Sequence, residues 1–474
     1  MADRRTTLDP ADWTQLRALG HRMMDDMIDH LAGLRDGPVW QPMPDKVRAG
    51  FKDALPEAGM EPGAVYQRFR SEIQPYVTGN THPRFMGWVH GGGNPVSMLA
   101  ELLAGAMNAN CGGRDHAGIA VERQVIAWAA SMLGMPAETS GVLLTGSSMA
   151  NFIAVLCARY RALGPAARAA GIGGAPLVAY ASAGVHRCVP GAMDMAGLGS
   201  DALRRIPVDA EFRMDVAALR AAIAADVAAG KTPFMIVGTA GSVDVGAFDD
   251  LTALGAIAAT ENMWFHVDGA FGALACLSPA LSPLLAGIEQ ADSVAFDFHK
   301  WAQVTYDAGC VLVRDPALHE AVFAQATSYL AAAPRGLAGG QPWPCDLGPD
   351  LSRGFRALKV WMTLSAYGTA RLGAIVDHTC ALAQHLAARI AGSDTLELLA
   401  PVRLNIVCFG IKNFSAARTA DLVADLQMEG LFAPSTTIVN GRMAIRAAIV
   451  NHRTELSDIN ALVDELNRRA GERD

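Results

Sequence analysis

Trp13, Leu16, Leu19, Met23, Met27, Leu31 and Leu34 recur every three or four positions, the spacing that places one apolar stripe on one face of a helix. Asp9 as a cap and Pro10 in the first turn predict its start, and Gly37-Pro38 predicts its stop. Residues 39–80 read as a connector carrying a second short helix. From Thr81 the texture changes. Short apolar runs at 177–181, 234–237, 264–267, 293–296 and 309–313 predict strands, and alanine-rich stretches at 216–228 and 251–259 predict helices between them. That alternation predicts a mainly parallel sheet with right-handed crossover connections. From about Gly354 a long helical pattern (Ala357, Val360, Trp361, Leu364, Leu372, Ile375) leads into a smaller unit, with strands near Val407 and over 443–449 and a last helix ending at Arg469.

A chain of 474 residues with 51% hydrophobic and 18% charged residues has ample material for a large core with appendages. The net charge of -8 offers no basic surface for nucleic acid or for an anionic membrane. The eight cysteines show neither Cys-x-x-Cys nor Cys/His metal spacing, so they read as reduced thiols, and no metal site is expected. The first residues lead into no signal-like apolar region, and no uninterrupted apolar run is long enough to span a bilayer. A soluble cytoplasmic protein acting on a small molecule is the expectation.

Candidate chemistry gathers at the ends of the predicted strands. Lys300, in Asp297-Phe298-His299-Lys300-Trp301, sits where the chain leaves the core. Alone there, a lysine snorkels to water. Upstream, the strand Met263 to Val267 ends in Asp268-Gly269-Ala270-Phe271, an acid followed by residues small enough for something flat to approach. Asp268 alone reads as a turn cap, but at a strand's carboxyl end it also lies on the edge where open α/β sheets bind ligands. Lysine and acid together suit pyridoxal phosphate, which needs an amine to form an imine and a carboxylate to keep the pyridine nitrogen protonated. Thr145-Gly146-Ser147-Ser148-Met149-Ala150-Asn151 is a small hydroxyl-rich turn opening a helix, an anion site in form.

The segments His266-Val267-Asp268-Gly269-Ala270-Phe271 and Asp297-Phe298-His299-Lys300-Trp301 resemble the group II pyridoxal-phosphate decarboxylases, the family of aromatic-L-amino-acid and glutamate decarboxylases. The resemblance runs from about the first helix to the last strand. It implies an α/β protein of the pyridoxal-phosphate transferase type (fold type I): a mainly parallel seven-stranded sheet, a smaller C-terminal α+β domain and an N-terminal helical arm. Boundaries at 1–80, 81–365 and 366–474 are expected. It also implies pyridoxal 5'-phosphate as cofactor and a homodimer, with the arm against the partner and the site at the subunit interface.

In the roles this likeness implies, Lys300 holds the cofactor as an imine, and Asp268 pairs with the ring nitrogen so that a neutral quinonoid forms as carbon dioxide leaves. Ser147 and Ser148 hold the phosphate. His186 stacks on one ring face, and Ala270 underlies the other. Thr239 lies beside the ring, while His299 and Asp297 border the pocket, Asp297 accepting hydrogen bonds without touching the phosphate. Tyr329 opens a glycine-rich segment that reads as a lid, and delivers the proton to Cα.

For the substrate, Asn80-Thr81-His82-Pro83-Arg84-Phe85 resembles a stretch of the glutamate enzymes, which brings forward His82 and the neighbouring Trp88. Asn110 and Arg114 lie in a polar loop that family members extend toward the partner's site. Arg446 matches an arginine aimed at substrate carboxylate. The leading expectation is decarboxylation of an aromatic L-amino acid to amine and carbon dioxide. The alternatives are an acidic or polar amino acid, an oxygen-consuming aldehyde synthase, and, last, a non-catalytic cofactor-binding protein.

Overall fold

The computed structural model describes residues 7–324 and 333–471. Among the described residues twelve strands run in chain order. The first eight are β1 (Phe85–Met86), β2 (Ser140–Leu144), β3 (Leu177–Ser182), β4 (Leu203–Ile206), β5 (Thr232–Thr239), β6 (Trp264–Asp268), β7 (Ser293–Asp297) and β8 (Gly309–Val313). The last four are β9 (Leu396–Leu398), β10 (Ile406–Ile411), β11 (Ala433–Val439) and β12 (Arg442–Ala448). Seven of them form one sheet in the order β2-β8-β7-β6-β5-β3-β4, in which β8 alone runs against its neighbours. This is the mainly parallel seven-stranded α/β sheet expected of the sequence. The other five form a second sheet, β1-β11-β12-β10-β9.

The large sheet is covered on both faces, so its central strands are apolar throughout. Met235, Ile236 and Val237 of β5 are fully buried, and burial of each such side chain contributes roughly 1.5–3 kcal/mol. The helix Ser147–Leu163 packs on one face, while the helices Ala117–Met132 and Leu251–Thr260 belong to the core of the other. At the edge strand β2, a buried ion pair satisfies the outward backbone. Arg353 grips Glu122 through both carboxylate oxygens (2.6 and 2.9 Å), and between them they bond the Leu143 carbonyl and amide.

Several expectations shift by a few residues. The first helix is Trp13–Ala32, capped by Asp12, whose side chain accepts from the Thr14 amide at 2.8 Å; Asp9-Pro10 lies ahead of it. The stretch after it holds two short helices, Asp45–Gly50 and Pro62–Arg68. The long helix Arg356–Ala391 breaks its helical geometry at Gly368, where φ is 69°. β1 falls within the span 81–365, yet pairs in parallel with β11 of the C-terminal sheet. Arg84 likewise binds Asp458 on the last helix, at 3.0 Å. Among the described residues no helix is long and apolar enough to cross a membrane.

Burial also sets an acid limit on the fold. His266, His299, His319 and His452 are enclosed, and desolvation depresses their imidazoles to about 3, 4, 4 and 4 from the ordinary 6.5. Below about pH 6.5 the unfolded chain binds protons that the native chain refuses, so stability falls as pH drops, by roughly 3 kcal/mol per histidine once the folded values are approached. Asp249, raised to about 6 by burial, works in the opposite sense. Asp268 and Asp292 are also raised by burial. These carboxyls offset part of the loss, and the four histidines outweigh Asp249 from about pH 6.5 down to about pH 5. The urea midpoint measured from neutral pH to about pH 5 should fall along this curve; a flat midpoint contradicts it.

Candidate active site

The parallel register brings the chemistry to one edge. Thr239 pairs with Asp268, and Asp268 with Ala295 two residues before Asp297, so β5, β6 and β7 end side by side. The chain then turns through Phe298, His299 and Lys300. The turn is closed by Phe298 N donating to Ala308 O (2.8 Å) and Ala308 N donating to His299 Nδ1 (3.0 Å). Gly91 packs against it so closely that a Cβ there would lie 2.2 Å from the His299 carbonyl oxygen. Gly91 is thus a packing requirement of the lysine turn, and Gly92 one of Asn451, where a Cβ would fall 2.7 Å from the side-chain amide.

Lys300 Nζ lies 2.8 Å from Asp297 Oδ2. Burial pulls its ammonium toward deprotonation, but Asp297 and then Asp268 outweigh this and hold it above the ordinary lysine range. Asp297 also accepts from Ser147 N (2.6 Å) and Ser147 Oγ (2.8 Å). Both Ser147 donors are therefore committed to Asp297, and Ser148, exposed in the first turn of the helix, is the hydroxyl left facing outward. Gly309 and Gly146 meet backbone to backbone here, a Cβ on Gly309 falling 2.3 Å from Gly146 Cα.

Asp268 is enclosed. Burial raises its carboxyl above the ordinary range, while Lys300, His186 and the Ala270 amide (3.2 Å) pull it back. Lys300 and Asp268 thus feel each other's charge at the carboxyl edge of the sheet. His186 accepts from Cys188 N through Nδ1 (3.3 Å), and burial lowers its pKa, so it is neutral with its proton on Nε2. The hydroxyl of Thr239 is buried and, among the described residues, has no hydrogen-bond partner. An orphaned hydroxyl beside an acid and a lysine is what a missing polar ligand leaves behind.

The substrate candidates scatter. Trp88 is about half exposed at φ 48° and joins an aromatic wall with Phe85 (6.1 Å), His90 (5.6 Å) and, through His90, Tyr306. Tyr306 packs on His299 at 4.3 Å. Arg446 is buried, its guanidinium donating to the carbonyls of Asp244 (3.2 Å), Trp88 (2.9 Å) and Val243 and to Ser435 Oγ (3.4 Å). His82 is buried and accepts from Arg84 N at 3.0 Å. Asn110 caps Gly112 N and Arg353 N, and Arg114 lies over the Trp343 ring at 4.8 Å. Tyr329 and the start of its segment lie outside the described residues.

Sequence reasoning did not single out Cys188, Asn151, Tyr306 or Gly91. For His266 the signal is strand geometry: residues two apart share a face, so it sits under Asp268. Tyr306 had no such signal, because only the closed turn brings it to His299.

A lysine and a carboxylate converging at the carboxyl edge of an open α/β sheet, beside a helix start with an outward hydroxyl, suit a coenzyme-B6 enzyme. The family model described as "Pyridoxal-dependent decarboxylase conserved domain" matches residues 44–412, and the chain belongs to that family. It is 31% identical over 473 residues to an aromatic-L-amino-acid decarboxylase of Bacillus atrophaeus, covering 97% of this chain and 96% of the relative. A histidine decarboxylase of Drosophila melanogaster is 31% identical over 472 residues, 94% of this chain and 54% of that protein. The crystal structure of Oryza sativa TDC with PLP and tryptamine superposes with a TM-score of 0.88 at 26% identity, covering 98% of this chain and 99% of that one. The protein is a pyridoxal-phosphate-dependent amino-acid decarboxylase, and its cofactor is pyridoxal 5'-phosphate.

Proposed function

We propose that the substrate is an aromatic L-amino acid, converted to its amine and carbon dioxide. The observation that carries this reading is the wall of Phe85, Trp88, His90 and Tyr306 leading to His299. Flat rings reward one another in offset or edge geometry by about 0.5–1.5 kcal/mol beyond burial. Against an acidic side chain stands Arg446, every nitrogen of which already donates to a backbone carbonyl or to Ser435. The similarity to an aromatic-L-amino-acid decarboxylase leans the same way.

The residues divide the work. Lys300 attaches the cofactor, and Asp297 takes up the positive charge of its amine. Ser148, through its hydroxyl and its backbone amide at the start of the helix Ser147–Leu163, holds the phosphate, with Ser147 fixing Asp297 beneath. Asp268 faces the ring nitrogen, neutral His186 covers one ring face, Ala270 underlies the other, and Thr239 offers its unpartnered hydroxyl at the ring edge. The bound cofactor supplies an electron sink for the pair released when the carboxylate departs. Tyr329 returns the proton to Cα, which favours the amine over an aldehyde product. The arm helix leaves Trp13, Leu16 and Met23 exposed, and the helix Pro95–Met107 leaves Leu99, Leu102, Leu103 and Met107 exposed. These faces suit a second copy of the chain, with the 108–116 loop contributing to its site. The three-domain division at 80 and 365, and a cytoplasmic location, belong to the same reading.

The test is carbon dioxide release from the holoprotein with each L-amino acid in turn. Tryptophan, tyrosine, phenylalanine or dihydroxyphenylalanine should be turned over with the highest kcat/KM. Preference for glutamate or aspartate refutes the aromatic reading, and peroxide formed in step with carbon dioxide refutes the amine product.

A further inference from the structure

We propose that Cys188 is a positioning residue for Asp268: its thiol proton is the last donor of a one-way buried hydrogen-bond chain, Trp264–Ser293–His266–Asn151–Cys188, that ends on the carboxylate and holds it ionised and aimed. The proposal rests on the role given above to Asp268.

The direction of each link follows from donor and acceptor inventory alone. The indole Nε1 of Trp264 can only donate, and it donates to Ser293 Oγ at 2.8 Å. At the far end, Asn151 Nδ2 lies 2.8 Å from the Ser147 carbonyl, which can only accept, so the amide orientation is fixed. Asn151 Oδ1 then faces His266 Nε2 at 2.8 Å and must accept from it. The proton of His266 therefore sits on Nε2, and its bare Nδ1 accepts the Ser293 hydroxyl at 2.8 Å, the nearer of two Ser293 oxygens, its carbonyl lying 3.1 Å away without a proton between them. The second amide hydrogen of Asn151 points to Cys188 Sγ at 3.5 Å. With its sulfur accepting there, Cys188 has its own proton free to donate, and Asp268 Oδ2 lies 4.0 Å away. No link runs backwards along the chain.

Two properties of the surroundings keep the chain in this state. Burial depresses His266 to about 3, so its ring stays neutral and its tautomer is not lost to protonation at working pH. Burial also raises the Cys188 thiol far above its ordinary range, so the proton stays on sulfur. A chain of neutral donors ending on a carboxylate favours the ionised acid, since a protonated one has less use for them. That matters here because burial alone pushes Asp268 toward the neutral form. The same asparagine holds the Ser147 carbonyl, so the chain ties the ring-nitrogen end of the site to the first turn of the phosphate helix.

The experiment loads wild type, Cys188→Ala, Cys188→Ser and Asp268→Asn with pyridoxal phosphate labelled with nitrogen-15 in the ring. The ring-nitrogen shift is read by NMR beside kcat, KM and the thermal midpoint. Lys300, His186 and Asp297 also face Asp268 and are unchanged in the cysteine variants. Cys188→Ala should move the ring-nitrogen signal toward the unprotonated form and lower kcat by roughly three- to tenfold with KM held. Cys188→Ser, which keeps a donor, should restore both. If Cys188→Ala does not fold, Cys188→Val keeps the volume without the donor and should behave as stated for alanine.

A wild-type ring signal and kcat in the donor-less variant, or equal impairment of the serine and donor-less variants, overturns the proposal. If Asp268→Asn itself leaves the ring signal unmoved, the role of Asp268 fails and the chain's role with it. If Asp268→Asn moves the signal and Cys188→Ala does not, the chain alone fails.

Discussion

Replacement of Lys300 by alanine is expected to give a folded protein that no longer attaches pyridoxal phosphate covalently and releases carbon dioxide at a rate lower by on the order of 10⁴-fold or more. The magnitude follows from what the tether supplies: a correctly placed intramolecular amine is worth an effective molarity of about 10⁵–10⁸ M. Folding survives because Asp297 is not orphaned. It keeps both donors of Ser147, at 2.6 and 2.8 Å, when the ammonium at 2.8 Å is removed. The check is borohydride reduction followed by denaturation and mass measurement. Wild type should retain the mass of the cofactor and the variant should not. Retention by Lys300→Ala would move the attachment to another amine. An unfolded variant would mean that the lysine holds the turn together, against the hydrogen bonds that His299, Phe298 and Ala308 make without it.

The parts of the fold that could be read from the chain are those in which one residue class repeats. The central strands β3, β5, β6, β7 and β8 are buried on both faces and therefore appear as unbroken apolar runs. Among the strands not expected, β4 and β11 are two in which other requirements override that pattern. β4 is an edge strand carrying Arg204 and Arg205, the former paired with Asp226 at 2.8 Å. β11 begins Ala-Pro-Ser-Thr-Thr, a composition that reads as a turn, and is a strand because β12 and β1 pair with it.

The site follows the same division. Lys300, Asp268 and the Ser147-Ser148 turn are visible because a reactive group stands at the end of an apolar run. The aromatic wall is legible only in part: Phe85, Trp88 and His90 share one short segment, but Tyr306 joins them from a distant one when Gly91 closes on the lysine turn. The hydrogen-bond chain under Asp268 needed distances, although the face shared by His266 and Asp268 was implicit in strand geometry.

Replacement of Asp268 by asparagine should separate stability from catalysis in opposite directions. Asparagine is nearly the same size and keeps an acceptor for the Ala270 amide, but it carries no charge. In the cofactor-free protein the carboxylate is a buried charge whose pKa is raised by its burial. A carboxyl raised in the folded state costs stability as pH climbs from its unfolded value through its folded one. The variant should therefore unfold at the same or a higher temperature than wild type at neutral pH, with the difference shrinking toward about pH 4. In the holoprotein the sign reverses. On the role proposed for Asp268, the bound ring nitrogen would lose the anion placed to keep it protonated, and kcat should fall by roughly 10²–10³-fold, as when one preorganised electrostatic partner is removed. Cofactor should also leave more readily on dilution. A variant less stable than wild type without cofactor would mean that Asp268 works for the fold, and an unchanged kcat would remove it from the chemistry. The two measurements together distinguish an acid that braces the sheet from one kept there at a cost in stability because the reaction needs its charge.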